Sequence, residues 1–600
     1  MTSHWGRLGA STVALEACAI VVVIGAFVAY LAPTLERPLL EKHAFRQTQT
    51  AYTARIFHEE GIDLLHPKLP VLGEPFEVPF EFPLFQAAAS IVMDAGLEDD
   101  MAMRVTGLAS FILTALLLYG LVRHVAGRIA AFASLVAFVM TPFALVWARA
   151  SMIEYLATAG GVGFAWATIA WRERRTPATG SLALLAGLVG MLVKPTTAVF
   201  WVLPALLYRP ESDAGASRTK STRLVLVGLV LVPLLATAVW TRHADAIKTA
   251  SATTVFLASW ELQEWNFGTL AQRLDSYTWA ILVKRSVNFG LGTIFLAAAA
   301  LATWRSRQRW FWLGMWSAAL GPPLLFTNLY IIHDYYLAAV SPALAALVGL
   351  GVGHVVAHLP QRPTVLAAAA LAGLVLVYGS LEVGRGYWLR IHGAEDDPVV
   401  IPLAAEVDAL TVPGQRIAIA GLDWSPAVPY YSHRRAHMIA TKNERFAYDL
   451  LYDANYLYLV VADPTLFDAA ALDRWRWIGS IGPHSYTLAS VPHELADAWF
   501  VATDAPGPPR AGTLLRQGLR IPCGQQAARI PAGVRGTWIV STTRTLDARV
   551  EVSANLAPLP VRRALFVATE LGRGGEVTLS CEGTPALVVD VIDAPGHAAS

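Results

Sequence analysis

Long uninterrupted apolar runs dominate the first two-thirds of the chain, near 12–32, 104–122, 128–147, 153–171, 222–241, 287–304, 310–328, 335–357 and 363–385. Each is close to the roughly 20 residues an α-helix needs to cross the hydrocarbon core of a bilayer. The first run is too long for a signal-peptide core and no clear small-residue cleavage site follows it, so it is expected to remain as a helix. A further stretch, 180–208, is apolar except for Lys194-Pro195-Thr196-Thr197 in its middle. Basic residues decide its threading, because short cytoplasmic loops are enriched in Lys and Arg. With the N-terminus inside, Arg123/Arg128 and Arg172/Arg174/Arg175 fall in the cytoplasm. Arg209/Arg218/Lys220/Arg223, Arg305/Arg307/Arg309 and Arg362 join them only if 180–208 crosses twice, as two short helices turning at Lys194-Pro195. The pattern therefore predicts a multi-pass α-helical membrane domain of about eleven helices, with Arg242, Lys284 and Arg285 outside as exceptions.

After Gly386 the apolar runs shorten to strand length, as in Arg416-Ile-Ala-Ile-Ala, Tyr456-Leu-Tyr-Leu-Val-Val-Ala and Leu587-Val-Val-Asp-Val-Ile. They alternate with helix-like and Pro/Gly-rich pieces, which predicts a soluble α/β domain. Asp504-Ala-Pro-Gly-Pro-Pro-Arg is expected to divide it. The expected organisation is a transmembrane catalytic domain over 1–385, with a long first external loop at 33–103, an extracytoplasmic α/β domain over 386–503 and a β-rich unit over 504–600. An odd number of crossings puts the C-terminal region outside. Cys523 and Cys581 lie there, where an oxidising space would let them pair, whereas Cys18 sits in the first apolar run. Composition agrees with a membrane protein: 55% hydrophobic, 15% charged and a mean hydropathy of +0.46. The net charge of +1 and the lack of a basic block give no sign of nucleic acid.

This threading sorts the unusual polar residues onto one side. In the first external loop, His43, Arg46, Gln47 and Thr50 follow i, i+3, i+4, i+7 spacing and share a helix face, with Phe45, Tyr52 and Ile56 on another. The expectation is an interfacial helix, its apolar side in lipid and its polar stripe, Gln49 included, facing a cavity. Glu81 follows within Pro79-Phe-Glu-Phe-Pro83, where desolvation would raise its pKa and suit it to general-base work. Arg149 and Glu154 flank one short external turn, and Lys194 tips the hairpin. Trp265 and Asn266 sit in the next loop, and His333, Asp334 and Tyr335 in another. Each has a bland alternative, such as a helix-end ion pair for Arg149/Glu154 or snorkelling for Lys194. Ionisable groups at membrane depth are nonetheless functional candidates.

There is no Walker loop, no G-x-G-x-x-G after a strand and no H-E-x-x-H or close Cys/His cluster, so nucleotide, dinucleotide and zinc sites are not indicated. A polyprenyl-phosphate sugar can reach an outward-facing site through the membrane and presents one anionic phosphate. Arg46, Lys194, His333, Arg149 and Tyr335 are the candidates to hold that phosphate by charge-assisted hydrogen bonds.

At these residues the chain resembles the GT-C superfamily of membrane glycosyltransferases. Within it, the likeness is to family 39, the relatives of protein O-mannosyltransferases and lipid A aminoarabinose transferases. The matching pieces are His43-Ala-Phe-Arg-Gln-Thr-Gln-Thr-Ala, Pro79-Phe-Glu-Phe-Pro-Leu, Arg149 through Glu154, Lys194-Pro, Trp265-Asn-Phe-Gly and His333-Asp-Tyr-Tyr. The resemblance implies inverting transfer of one sugar from a polyprenyl-phosphate donor to a glycan, lipid or protein acceptor on the outer face of the cell membrane. It implies a cavity between the membrane helices, no required cofactor, and leaves a divalent cation open. The family usually carries an Asp, often Asp-Glu, early in the first external loop as its presumed base, but that position falls near Arg46-Gln47 here. The base is then expected among Glu81, Glu41 and Glu154. Two rival readings are a flippase or transporter of lipid-linked sugars and a membrane-anchored envelope-binding protein. The first would want charges buried mid-span and repeated halves, and no internal repeat is visible. The second would leave the polar residues of the membrane part without a role.

Overall fold

A computed structural model describes residues 10–73, 75–210, 220–251, 253–288, 293–360, 399–410 and 416–439, with scattered positions between 362 and 386. Beyond residue 439 it describes the strands alone. Cys523 and Cys581 lie outside the described residues. The chain divides into two compact units, 1–69 with 77–396, and 70–76 with 397–600.

The first unit is helical. Its leading elements are α1 (Ala10–Leu31), α2 (Ala44–Glu60), α3 (Leu84–Asp94), α4 (Asp99–Ala126), α5 (Arg128–Val139), α6 (Pro142–Trp147), α7 (Glu154–Arg174) and α8 (Pro177–Val193). The short α9 (Pro195–Ala198) and α10 (Val202–Leu207) precede α11 (Lys220–Thr249), α12 (Gln263–Phe267) and α13 (Leu270–Leu274). The unit continues through α14 (Ser276–Asn288), α15 (Thr293–Arg305), α16 (Arg309–Leu325), α17 (Thr327–Ile332) and α18 (Leu337–His358). Among the described residues, four helices are long and apolar enough to cross a membrane unaided: Val13–Thr34, Asp99–Ala126, Ser221–Thr249 and Asp334–His358.

Lys194 ends α8 in an extended conformation, and Pro195, which has no N–H to lose, starts α9. The chain then folds back along α7. Glu154 at the start of α7 binds Lys194, while Arg172 near its end donates to the carbonyls of Ala205 and Leu206 at 3.1 and 2.9 Å. Residues 177–207 are thus a hairpin. Two glycines let α8 lie directly on α7: a Cβ on Gly160 would stand 2.4 Å from the backbone N of Gly190.

The two ends of this bundle differ in charge. His124 meets Glu173 at 3.0 Å, Tyr208 donates to Glu173, and the Arg209 backbone N–H donates to Gln308 at 3.1 Å. These contacts gather Arg123/Arg128, Arg172/Arg174/Arg175, Arg209 and Arg305/Arg307/Arg309 at one end. Glu154 and Lys194 stand at the other.

The second unit is built on a five-stranded mixed sheet ordered β2-β1-β3-β5-β4. Its strands are β1 (Arg416–Ala420), β2 (Arg435–Ile439), β3 (Tyr456–Val461), β4 (Trp475–Ile481) and β5 (Tyr486–Pro492). β1 runs parallel to β2 and β3, and β5 pairs antiparallel with β3 and β4. Residues 70–76, from the loop between α2 and α3, cover the outer edge of β2: the backbone N–H groups of Ala436 and Met438 donate to Pro70 and Val71 at 3.0 and 2.9 Å. That pairing occupies backbone groups an open edge would leave exposed. Two three-stranded antiparallel sheets follow within 519–589.

Candidate active site

The α2 helix differs from the interfacial helix its spacing predicts. Gln47 through Phe57 are all buried, so no face is left for lipid. The reason is that partners distant in sequence satisfy its polar groups. The Ser151 backbone N–H and hydroxyl donate to Gln47 at 3.3 and 3.0 Å, Gln47 donates to the Lys42 carbonyl, and Arg55 pairs with Asp99. Thr48 and Thr50 donate to carbonyls one turn back. Gln47 and Thr50 are thereby committed to packing, and α2 becomes a fixed platform between α3 and α4.

Arg46, in the first turn of α2, carries the first functional contact. Its Nη2 donates to both oxygens of Glu81 at 2.9 and 3.0 Å, and its Nη1 donates to Gln49 at 2.7 Å. Burial pushes the Glu81 carboxyl upward, but Arg46 and Lys194 more than offset it and hold it below the usual carboxylate range. This reverses the raised pKa expected from its apolar neighbours, because the partner that decides the shift lies 35 positions away. Burial works against the Arg46 charge too, yet the field of Glu81 more than restores it.

Lys194 is buried, bound to Glu154, with its Nζ 4.1 Å from the ring centre of Tyr336 and 5.8 Å from that of Tyr335. An ammonium on aromatic faces keeps its charge with little water around it. His333 packs against Trp265, Tyr335 and His43 at ring distances of 5.7, 5.2 and 5.1 Å. Burial, with His43, Lys194 and Arg46 nearby, pushes His333 down to about 4. It is a neutral imidazole at physiological pH, so it offers hydrogen bonds but not the cationic contact expected from sequence. Its Nδ1 is buried without a hydrogen-bond partner. His43 binds Asp334 at 3.0 Å, and Asp334 also takes Lys42.

Arg46, Lys194, Glu81, Glu154, His43, His333, Asp334 and Tyr335 therefore form one neighbourhood, tied by these contacts and by mutual charge effects. Trp265 stands beside it, steadied by a hydrogen bond from Asn328 Nδ2 to its carbonyl at 2.9 Å. Asn266 is half-buried in the same short helix and makes no side-chain hydrogen bond among those described. Glu41 and Arg149 go elsewhere: Glu41 accepts from Arg104 at 2.9 Å and Arg149 at 2.7 Å, with all three side chains at most 3% exposed. Arg104 also donates to the carbonyls of Arg37 and Pro38. This cluster anchors the chain entering α2. Tyr336, Trp147 and Lys42 are site neighbours that the sequence reading did not single out. Among the described residues no group of three His, Cys, Asp or Glu side chains is placed to hold a metal ion.

No family model and no curated protein matches the chain. Solved structures do. ArnT from Cupriavidus metallidurans bound to undecaprenyl phosphate is 14% identical, with a TM-score of 0.53, covering 80% of this chain and 98% of its own. Its apo state gives a TM-score of 0.50 over the same shares, also at 14% identity. The oligosaccharyltransferase AglB from Archaeoglobus fulgidus, in complex with an inhibitory peptide and a dolichol-phosphate, is 11% identical, with a TM-score of 0.48 over 80% of this chain and 75% of its own. At this identity the likeness speaks for the fold alone: the chain shares the fold of ArnT, and four of its described helices are long and apolar enough to cross a membrane.

Proposed function

We propose that this protein is a glycosyltransferase that moves one sugar from a polyprenyl-phosphate donor to an acceptor on the outer face of the membrane, with inversion. The observation that carries the reading is that Arg46 and Lys194, from separate segments, come together in one neighbourhood with His333 and Tyr335. Arg46 is paired with Glu81 and Lys194 with Glu154. A phosphate entering between them exchanges those pairings for its own. As the glycosidic bond breaks, the phosphate gains a negative charge, and cations already in place stabilise it without reorganising. Glu81 and Glu154 keep the cations charged and aimed before the donor arrives. ArnT, which shares the fold, is described with undecaprenyl phosphate bound, and a donor carrying that lipid phosphate suits this pocket. Trp265, Asn266, Gln49 and the His43/Asp334 pair line the sugar and acceptor side.

The test is release of undecaprenyl phosphate by the purified protein in lipid nanodiscs. It would be supplied with a panel of undecaprenyl-phosphate hexoses and pentoses and an envelope extract as acceptor. Release and sugar incorporation with at least one donor, abolished in Lys194→Ala, is the expected result. A protein that moves intact lipid-linked sugar across vesicles without cleaving it would instead be a flippase.

A further inference from the structure

Each carboxylate that the sequence offers as the base is already committed. Glu41 lies under Arg104 and Arg149, Glu154 is bound to Lys194, and both oxygens of Glu81 take Arg46. The neighbourhood holds one further acid–base pair. His43 Nε2 lies 3.0 Å from Asp334 Oδ1, and Asp334, 4% exposed, is bound by Lys42 as well. A carboxylate only accepts, so Nε2 carries the proton and Nδ1 keeps its lone pair. The ring is caged by Trp147 at 5.7 Å, His333 at 5.1 Å and Tyr335 at 4.9 Å, and is 17% exposed. Its backbone is strained to hold it there: His43 is left-handed, at φ 62° and ψ 37°, yet its side chain makes no capping hydrogen bond to α2. Strain maintained without a local purpose is a feature of functional positions. His43 and Lys194 share Tyr335 as a neighbour, at 4.9 and 5.8 Å from its ring centre, which brings the imidazole and the ammonium to one site. The unpartnered Nδ1 of His333 beside it is a ready place for a hydroxyl of the sugar or acceptor.

We propose that His43, oriented by Asp334, is the catalytic base that takes the acceptor's proton, in place of a carboxylate. This rests on the glycosyl-transfer reading above. The acceptor O–H proton passes to Nδ1 of His43 as the acceptor oxygen forms its bond to the anomeric carbon. The bond from that carbon to the phosphate oxygen breaks, its electron pair stays on the phosphate, and polyprenyl phosphate leaves with one more negative charge beside Arg46 and Lys194. The imidazolium returns its proton to water.

The experiment uses the full chain in nanodiscs with whichever panel donor the wild type turns over. His43→Gln can still donate to Asp334 but has no basic nitrogen, so kcat should fall about 100- to 10,000-fold with donor KM little changed. His43→Ala should regain turnover when imidazole is added, which a purely structural role would not produce. Melting temperature and undecaprenyl phosphate binding check that both variants fold. Wild-type kcat in His43→Gln overturns the proposal. So does a failure of imidazole rescue in a folded His43→Ala, alongside a Glu81→Gln variant that binds donor but does not turn over; both results leave the enzyme class intact. If the wild type cleaves no donor in the panel, the glycosyl-transfer reading fails, and the assignment of His43 falls with it.

Discussion

Arg46 and Glu81 form an ion pair in which each favours the charged form of the other. On the proposed reaction, replacing Arg46 by Ala removes a contact that strengthens as the leaving phosphate gains charge. Turnover should therefore fall on the order of 100-fold while donor binding weakens less, as steady-state kinetics beside a binding titration would show. The Glu81 carboxyl lies below its ordinary value of 4.5, so its pairing stabilises the fold fully above that value and is lost as pH drops through the lower folded value. The wild type should melt above Glu81→Gln near neutrality, with the gap closing as pH falls below 4.5. A gap that instead closed as pH rose would contradict the pairing. Glu41 obeys different logic. Removing it leaves Arg104 and Arg149 buried together, so Glu41→Ala should cost about 3–5 kcal/mol of stability, read by thermal or chaotrope unfolding in detergent.

At the scale of elements, the hairpin over 177–207 was legible in the sequence, since the basic residues on either side need an even number of crossings between them. So were the long apolar helices. The burial of α2 was not. A helix reading Gln-Thr-Gln-Thr belongs at a wet surface by composition, and partners far along the chain, Ser151 and Asp99 among them, are what allow its interior position. The same holds at the site. Residue types and their shared side could be read directly, but the ion pair that lowers Glu81 and the cluster that withdraws Glu41 and Arg149 are tertiary facts. Neither could the sequence reveal how closely α7 and α8 approach. Gly160→Val would drive a side chain into the Gly190 backbone and part the two helices. Overpacking of this kind costs about 1–3 kcal/mol. Because Gly190 is four residues before Lys194, turnover should fall further than stability alone explains, measurable as reduced kcat in protein that remains folded below its melting point.

For the whole molecule, the polarity of the bundle decides which side of the membrane the chemistry occupies. The 21 residues of α7 rise about 30 Å, the thickness of a hydrocarbon core. Glu154 and the Lys194 it binds mark one end, and Arg172, Arg174 and Arg175 the other, in company with basic residues from three further segments. Short loops with such charge are retained in the cytoplasm, so the pocket should open on the opposite face. Thr196, half-buried beside Lys194, and Thr176, exposed between α7 and α8, are suitable reporters for the two ends. In a background with Cys18, Cys523 and Cys581 changed to Ser, Thr196→Cys should react with a membrane-impermeant maleimide on intact cells or spheroplasts. Thr176→Cys should react only after permeabilisation. A reversed pattern would put the pocket in the cytosol, where nucleotide sugars are made. Arg46 and Lys194 would then have to be explained as ligands for a diphosphate rather than for the single phosphate of a lipid-linked donor.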